Sequence, residues 1–434
     1  MIWAKEETLT RQELNELQFT RLKATLKRIY DKVPAYREKM INKKISCEDI
    51  KSLKDLSKLP FTIKQDLRDN YPFGLFTVPK KELVRIHASS GTTGKPTVVG
   101  YTRNDLAMWT ECVARIACMG GASEEDIVQI SFGYGMFTGA LGLHYGLEKI
   151  GAAIAPVSSG NTQKQIMYMK DFHTTLLVAT PSYALHIGEV VREMGIDPAK
   201  ELNVKIGLFG GEGMTEPMRE EMYRLWGSDM KVTQNYGMSE LIGPGVSGEC
   251  LELQGMHINE DHFIPEIIDP DTGEVLPPGE KGELVISCIT KEALPLIRYR
   301  TGDITRLFYE PCKCGRTTVR MENLSGRSDD MLVIRGVNVF PSQIEEVLHQ
   351  VKEIGAHYEI LVDRKNYLDT MEIKVELSDE SLLDSYAKLG ELEKKIKFNL
   401  RSVLGLDAVV KLVAPRSLTR FEGKAKRVTD LRKK

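Results

Sequence analysis

The chain contains no run of eighteen apolar residues, no internal repeat and no low-complexity segment, and its charges nearly cancel. Without such a run nothing reads as a membrane-crossing helix. The first 20 residues are broken by charged side chains every few positions, which is not the pattern of an export signal. With 59 Lys and Arg against 61 Asp and Glu, the formal net charge of −2 supplies no field that would hold nucleic acid or an anionic membrane. Cysteine is sparse and odd in number, seven in 434 residues, which argues against a disulfide framework and for reduced thiols or metal ligands. The expectation is a soluble, unexported, cytoplasmic chain whose partners are small molecules, with no nucleic acid and no membrane among them. The oligomeric state stays open, a homodimer included.

At 434 residues the chain exceeds the size at which one core stops growing, so at least two domains are expected. Leu14, Leu17, Phe19, Leu22, Leu26, Ile29 and Tyr30 recur at helical spacing and predict a helical scaffold over residues 8–39. From about residue 83, short apolar strands (126–131, 176–180, 204–209, 231–234) alternate with longer helical stretches. That is an α/β pattern, in which ligands bind beyond the carboxyl ends of strands. Near Phe263 the texture changes: 263–268, the turn Asp269-Pro270-Asp271-Thr272-Gly273 and 282–287 predict hairpins in a β-rich subdomain of about 250–325. Beyond Arg327 the pattern reads strand, helix (342–351), strand (357–362), strand (372–376), helix (379–404), strand (409–412), a small α+β unit. The expected fold is therefore α/β: a large, multi-layer N-terminal domain over 1–328 and a small C-terminal lid over 329–434.

Directly after Leu83-Val84-Arg85-Ile86, residues 89–95 read Ser-Ser-Gly-Thr-Thr-Gly-Lys. Four hydroxyls donate hydrogen bonds, Gly91 and Gly94 allow positive φ and close backbone approach, and Lys95 adds charge, so the loop suits phosphate. It is not a Walker A loop, which needs glycine where Ser89 stands and Ser or Thr where Pro96 stands. A Gly/Ser linker is the plain alternative, but such linkers rarely carry a threonine pair and Lys-Pro at a strand end.

Ser89 to Pro96 resembles the phosphate loop of the adenylate-forming enzymes, the superfamily of acyl-coenzyme A synthetases, peptide-synthetase adenylation domains and luciferases. In the family's order there follow Phe209-Gly210-Gly211-Glu212-Gly213-Met214, Gln234-Asn235-Tyr236-Gly237-Met238-Ser239-Glu240, and Tyr299-Arg300-Thr301-Gly302-Asp303. Next come Gly326-Arg327-Ser328-Asp329-Asp330 with Arg335-Gly336-Val337-Asn338, and finally Gly423-Lys424-Ala425-Lys426. Within the superfamily, His87-Ala88-Ser89-Ser90, the 132–139 segment Phe-Gly-Tyr-Gly-Met-Phe-Thr-Gly, Asp261-His262-Phe263 and Glu266-Ile267-Ile268-Asp269-Pro270 look most like the phenylacetate-coenzyme A ligases. The resemblance covers nearly the whole chain.

What it implies is ATP- and Mg2+-dependent ligation of an aryl carboxylic acid, phenylacetate first, to coenzyme A through an acyl-adenylate. Two anions must meet, so the site needs positive charge and preorganised dipoles where transition-state charge develops. By resemblance Lys424 is the catalytic lid lysine that bridges substrate carboxylate and α-phosphate. Ser89, Ser90, Gly91, Thr92, Thr93, Gly94 and Lys95 cradle phosphate. Gly211 and Glu212 border adenine, and Tyr236 stacks on it within the Asn235, Gly237, Met238 and Ser239 loop. Glu240 holds Mg2+. Asp303 takes the ribose diol, as a carboxylate's two acceptor oxygens can, and Arg327 joins it. Asp329 is the hinge, a position that need only absorb a φ/ψ change, and Gly336 beside Arg335 borders the coenzyme A tunnel. Tyr134, Phe137, Gly139 and Ala140, with Gly210, Gly213 and Ile242, line the acyl pocket. Their plain reading is core packing, and indoleacetate or a benzoate derivative stays open as substrate. Transfer to a carrier-protein thiol also stays open.

Cys250 and His257 precede the close pair Cys312-Lys313-Cys314 with Gly315 behind it. Three thiols and an imidazole suit tetrahedral Zn2+, whereas buried cysteines would sit in less polar surroundings than Pro311-Cys312-Lys313-Cys314-Gly315-Arg316. Some relatives lack these cysteines, so the expected zinc is structural. A zinc-containing nucleic-acid binder is the rival from another class, and the balanced charge speaks against it. Cys47, Cys112, Cys118 and Cys288 receive no functional reading.

Overall fold

The computed structural model describes residues 1–89, 96–327, 332–334, 337–365, 368–421 and 425–433. Helix α1 (Arg11–Lys32) starts at a capping box in which Thr10 and Glu13 satisfy each other's backbone N–H groups. The helix predicted over 8–39 is two helices. Val33, extended because Pro34 follows it, breaks the run before α2 (Pro34–Asn42). A short α3 (Lys64–Asp69) leads to the hairpin β1 (Arg85–Ser89) and β2 (Thr97–Tyr101).

The main body then alternates as expected: α4 (Arg103–Met119), β3 (Ile127–Ile130), α5 (Gly139–Lys149), β4 (Ala153–Ala155), α6 (Thr162–Asp171), β5 (Leu176–Ala179), α7 (Pro181–Glu193), α8 (Pro198–Glu201), β6 (Ile206–Gly210), α9 (Glu216–Trp226) and β7 (Lys231–Met238). Strands β4, β3, β5, β6 and β7 pair in parallel in that spatial order. Antiparallel β8 (Gly243–Glu249) and β9 (Met256–Ile258) extend the sheet. Central strands such as β5 and β6 are buried along their whole length, as strands covered on both faces must be.

The β-rich segment divides between two sheets, a correction to the single unit predicted for 250–325. Strands β10 (Phe263–Ile268), β11 (Gly282–Cys288), β12 (Tyr299–Thr305) and β15 (Gly326–Arg327) form an antiparallel sheet of their own. The intervening β13 (Leu307–Phe308) and β14 (Arg320–Met321) return to β9 at the edge of the main sheet. Period-2 alternation specifies a half-buried strand but not the sheet it joins.

The C-terminal unit has its own apolar core, centred on Ile344, Ile360, Val362, Ile373, Ile396 and Leu400. It comprises β16 (Leu332–Ile334), β17 (Val337–Val339), α10 (Pro341–His349), β18 (Ile354–Lys365), β19 (Leu368–Leu377), α11 (Tyr386–Leu404), β20 (Val409–Val413) and β21 (Val428–Asp430), with sheet order β20-β19-β18-β21. The helix predicted from 379 begins as a 3-10 turn over Glu380–Asp384 and becomes α-helical at Tyr386.

Candidate active site

In the main sheet the carboxyl ends of β6 and β7 lie side by side, at Gly210 and Asn235, the place where the α/β pattern puts ligands. At the end of β1, Ser89 is the register partner of Thr97. Ser90, Gly91, Thr92, Thr93, Gly94 and Lys95 lie outside the described residues, as do Asp329, Arg335, Gly336 and Lys424.

Beyond β6, Gly211 has φ of +82°, a conformation that favours glycine. Gly210 packs against Asn235, whose side-chain amide donates to the Phe209 carbonyl at 2.8 Å; a Cβ at Gly210 would stand 2.8 Å from the Asn235 carbonyl oxygen. Glu212, expected beside adenine, makes contacts of its own in the fold. Its carboxylate accepts from the Ser182 N–H at 2.6 Å, from the Ser182 hydroxyl, and from the Ala425 N–H at 3.1 Å.

On β7, the buried Tyr236 donates its hydroxyl to Asp303 Oδ2 at 2.6 Å. Asp303 Oδ1 accepts from Arg327 Nη1 at 2.8 Å, and Arg327 Nη2 reaches the Thr301 carbonyl at 3.1 Å. Asp303 and Arg327 face each other across the β12–β15 register. Three motifs far apart in sequence thus meet in one hydrogen-bonded cluster, beside a cleft lined by Lys64, Met238, Arg300, Gly302 and Arg327. Burial, with Asp303 next to it, pushes the Tyr236 phenol well above its usual range, so the ring stays neutral and donating.

Glu240 is buried in the turn after β7. That turn is gripped from below: Lys291 Nζ donates to the Leu241 carbonyl at 2.5 Å, Tyr101 donates to the Ile242 carbonyl at 3.1 Å, and Ser239 and Thr138 share a hydrogen bond of 3.0 Å. Gly237 is required where it stands, since a Cβ would lie 1.7 Å from the Gly243 carbonyl oxygen. Lys291 is fully buried over the Tyr101 ring, and burial lowers its pKa against the opposing pull of Asp105, Cys288 and Glu240. Nothing in its sequence neighbourhood marks it; only the fold brings it beneath Glu240.

The residues expected at the acyl pocket are only partly together. Tyr134 meets His144 Nδ1 at 3.1 Å, Gly139 and Ala140 open α5, and the Thr138–Ser239 contact joins this segment to the turn that carries the buried Ile242. A Cβ on Gly139 would touch the Phe137 ring at 2.8 Å, whereas Gly213 has open space beside it. Phe137 itself is 46% exposed.

Cys250, His257, Cys312 and Cys314 converge, with candidate ligand atoms all within 4.8 Å of one another. Cys250 Sγ and Cys312 Sγ stand 3.7 Å apart, and Cys314 Sγ is 3.4 Å from His257 Nε2. A tetrahedron with Zn–S bonds of ≈ 2.3 Å has an S···S edge of about 3.8 Å. His257 Nδ1 is held by Thr318 at 3.1 Å, which turns Nε2 inward. Burial pushes the Cys314 thiol up, but hydrogen bonds from His257 and Arg316 more than offset this and bring it to about 5.

A large domain of mixed sheets and helices followed by a small separate one is the architecture of the adenylate-forming enzymes. Residues 4–289 match the family model of the AMP-binding enzymes and 336–432 that of the AMP-binding enzyme C-terminal domain. A phenylacetate-coenzyme A ligase of Thermus thermophilus is 47% identical over 98% of both chains, and one of Escherichia coli K12 is 48% identical over 98% of this chain and 97% of its own. The chain belongs to the AMP-binding enzymes, and within them to the phenylacetate-coenzyme A ligase family. Among solved structures, 2-hydroxyisobutyryl-CoA ligase in the postadenylation state with 2-HIB-AMP superposes with a TM-score of 0.91 at 28% identity, covering 99% of this chain and 92% of that one. The same ligase with 2-HIB-AMP and CoA in the thioesterification state gives 0.73 at the same coverage. Among the described residues no helix is long and apolar enough to cross a membrane.

Proposed function

We propose that the chain activates an aryl carboxylic acid, phenylacetate first, and ligates it to coenzyme A in two steps. In the first, the carboxylate oxygen attacks the α-phosphorus of ATP, the bond to the pyrophosphate leaving group breaks, and an acyl-adenylate forms. In the second, the coenzyme A sulfur attacks the acyl carbon, AMP departs and the thiol proton is lost. The observation that carries this reading is full-length identity near one half with phenylacetate-coenzyme A ligases.

Asp303 takes the ribose hydroxyls, Arg327 and Tyr236 fix that carboxylate, and Tyr236 presents its ring to adenine. Glu240 is the carboxylate that would hold Mg2+, which when bound offsets repulsion between the two reacting anions. Lys424 supplies the remaining positive charge, and residues 89–95 hold phosphate. Tyr134, Phe137 and the small residues near them shape the ring pocket. The large domain runs to residue 328, with the lid beyond it turning at Asp329. Cys250, His257, Cys312 and Cys314 form a closed Zn2+ site whose donor set and spacing fit a structural ion. The higher TM-score with the postadenylation state supports reading the present arrangement as the adenylate-side one.

A panel of aryl acids in a pyrophosphate-release assay tests the proposal. Phenylacetate is expected to give the highest kcat/KM, and coenzyme A thioester should appear with the enzyme alone, which excludes a carrier-protein acceptor. Absence of acid-dependent pyrophosphate release across the panel would sink the reading.

A further inference from the structure

Helix α7 carries Ser182, His186, Glu189 and Glu193 at positions i, i+4, i+7 and i+11, a single face of a helix. Its other faces are spent on the large domain's own core through Tyr183, Leu185, Ile187 and Val191. The polar face meets the lid, which answers it with one imidazole and two guanidinium groups. Glu189 faces His357 Nε2 at 3.4 Å and Arg420 Nε at 3.5 Å, both from the lid, and His186 of its own helix at 3.8 Å. Arg420 is aimed by a bidentate grip from Glu376 at 2.8 and 2.9 Å. One turn further along α7, Glu193 takes Arg416 at 2.5 Å. At the other end Glu212, pinned by Ser182, accepts the Ala425 N–H. Ala356 of the lid packs against the α7–α9 core. Burial pushes the Glu189 carboxyl up, but its histidine and arginine neighbours more than offset this and hold it well below the usual carboxylate range.

We propose that the acidic face of α7 centred on Glu189, together with Glu212 of the loop after β6 beside its first turn, is the docking latch that positions the lid for the adenylate-forming half-reaction. The two carboxylates hold the polypeptide on both sides of Lys424 in sequence, at Arg420 and at Ala425, and act through the lid without touching substrate. They are positioning residues. The second half-reaction needs the lid to leave this orientation, so the same contacts must break before thioester forms. A latch made in one orientation biases the equilibrium by no more than its own differential interaction, so the effect on the half-reactions should be opposite in sign. This inference rests on the functional reading above.

The experiment compares wild type with Glu189→Gln, an isosteric change at a side chain 23% exposed. Adenylate formation is read as pyrophosphate release without coenzyme A, and thioester formation is read from supplied acyl-adenylate and coenzyme A. The first rate is expected to fall about five- to tenfold in kcat with the KM for ATP little changed, while the second is unchanged or faster. Arg416→Gln, at a surface pair that cannot threaten folding, should shift the same ratio in the same direction by less. An unchanged ratio of the two half-reactions, including an equal fall in both, overturns the latch. A wild type that adenylates no acid sinks the functional reading instead, and small-angle scattering of the free chains then decides the latch: Glu189→Gln should be more extended than wild type, and identical profiles overturn it.

Discussion

At the scale of single residues, chemistry concentrates where three motif residues meet around one carboxylate. Asp303 is oriented from two sides, by the Tyr236 hydroxyl and by Arg327, so its acceptor geometry is set in advance for the ribose the proposed function gives it. Preorganisation of that kind is what makes a dipole or charge effective in a transition state. Lys424 is argued to act only where negative charge meets negative charge. Lys424→Ala is therefore expected to slow adenylation by about a hundredfold or more while leaving thioester formation from supplied acyl-adenylate near wild type. Equal losses in both half-reactions would remove it from that role. The residues Tyr236, Asp303 and Arg327 were legible in the sequence because each sits in a recognisable motif. Their mutual contact was not, because β7 and β12 belong to different sheets and only the tertiary arrangement brings a tyrosine hydroxyl to a carboxylate 67 positions away. Lys291 and Glu189 were silent for the same reason: a lone lysine or glutamate outside any motif has no local signature for what lies across from it.

At the scale of elements, two motifs that distinguish this chain within its superfamily turn out to tie structure together. Asp261 is buried against Arg115 at 2.7 Å, Arg21 at 3.3 Å and His262 at 3.1 Å, so it clamps α1 and α4 onto the segment before β10. Removing one member of a buried charged set leaves the others uncompensated. Asp261→Asn is accordingly expected to cost about 3–5 kcal/mol in denaturant unfolding. His262 carries the pH signature of this cluster: burial lowers its pKa from 6.5 to about 4. The unfolded chain then binds the proton that the folded chain refuses, so stability should fall as pH drops from about 6.5 towards 4, and His262→Gln should flatten that limb in denaturation curves. The quartet of Cys250, His257, Cys312 and Cys314 brings the β8–β9 connection and β9 against the chain after β13, where a bound Zn2+ would make a second tie. Cys312→Ser with Cys314→Ser is expected to lower both Tm and zinc content while leaving the pH profile of the remaining activity unaltered. Metal analysis near zero in the wild type, with stability unmoved by chelator, would contradict the zinc reading. Sequence spacing was enough to single out these four residues, which converge in the fold, since a Cys-x-Cys turn offers two thiols at once. It was not enough to assign their sheet, and β9 and β14 lie in the main sheet rather than in a separate β-rich unit.

At the scale of the whole molecule, the proposed function has the lid serve two reactions that make incompatible demands on one active site. The first requires positive charge delivered to the phosphates, and the second requires room for a thiol to approach the acyl carbon. One small domain with its own core can satisfy both only by moving as a body, which asks for a turn that carries little structure of its own and for a docking face that can be released. The separate core around Ile360 and Ile396 lets the lid hold together as a body, and the acidic face of α7 meets it mainly through charged and polar groups. Asp329 is the residue at which the motif pattern puts the turn, and a turn residue is tested by restricting its backbone. Proline fixes φ near −65°, so Asp329→Pro should retain one half-reaction and lose the other, according to which lid orientation tolerates that angle. Both half-reactions are measured separately on protein whose thermal unfolding matches wild type. Two wild-type rates from such a folded variant would place the pivot elsewhere in the chain, whereas one preserved rate beside one lost rate would identify Asp329 as the point about which the lid alternates.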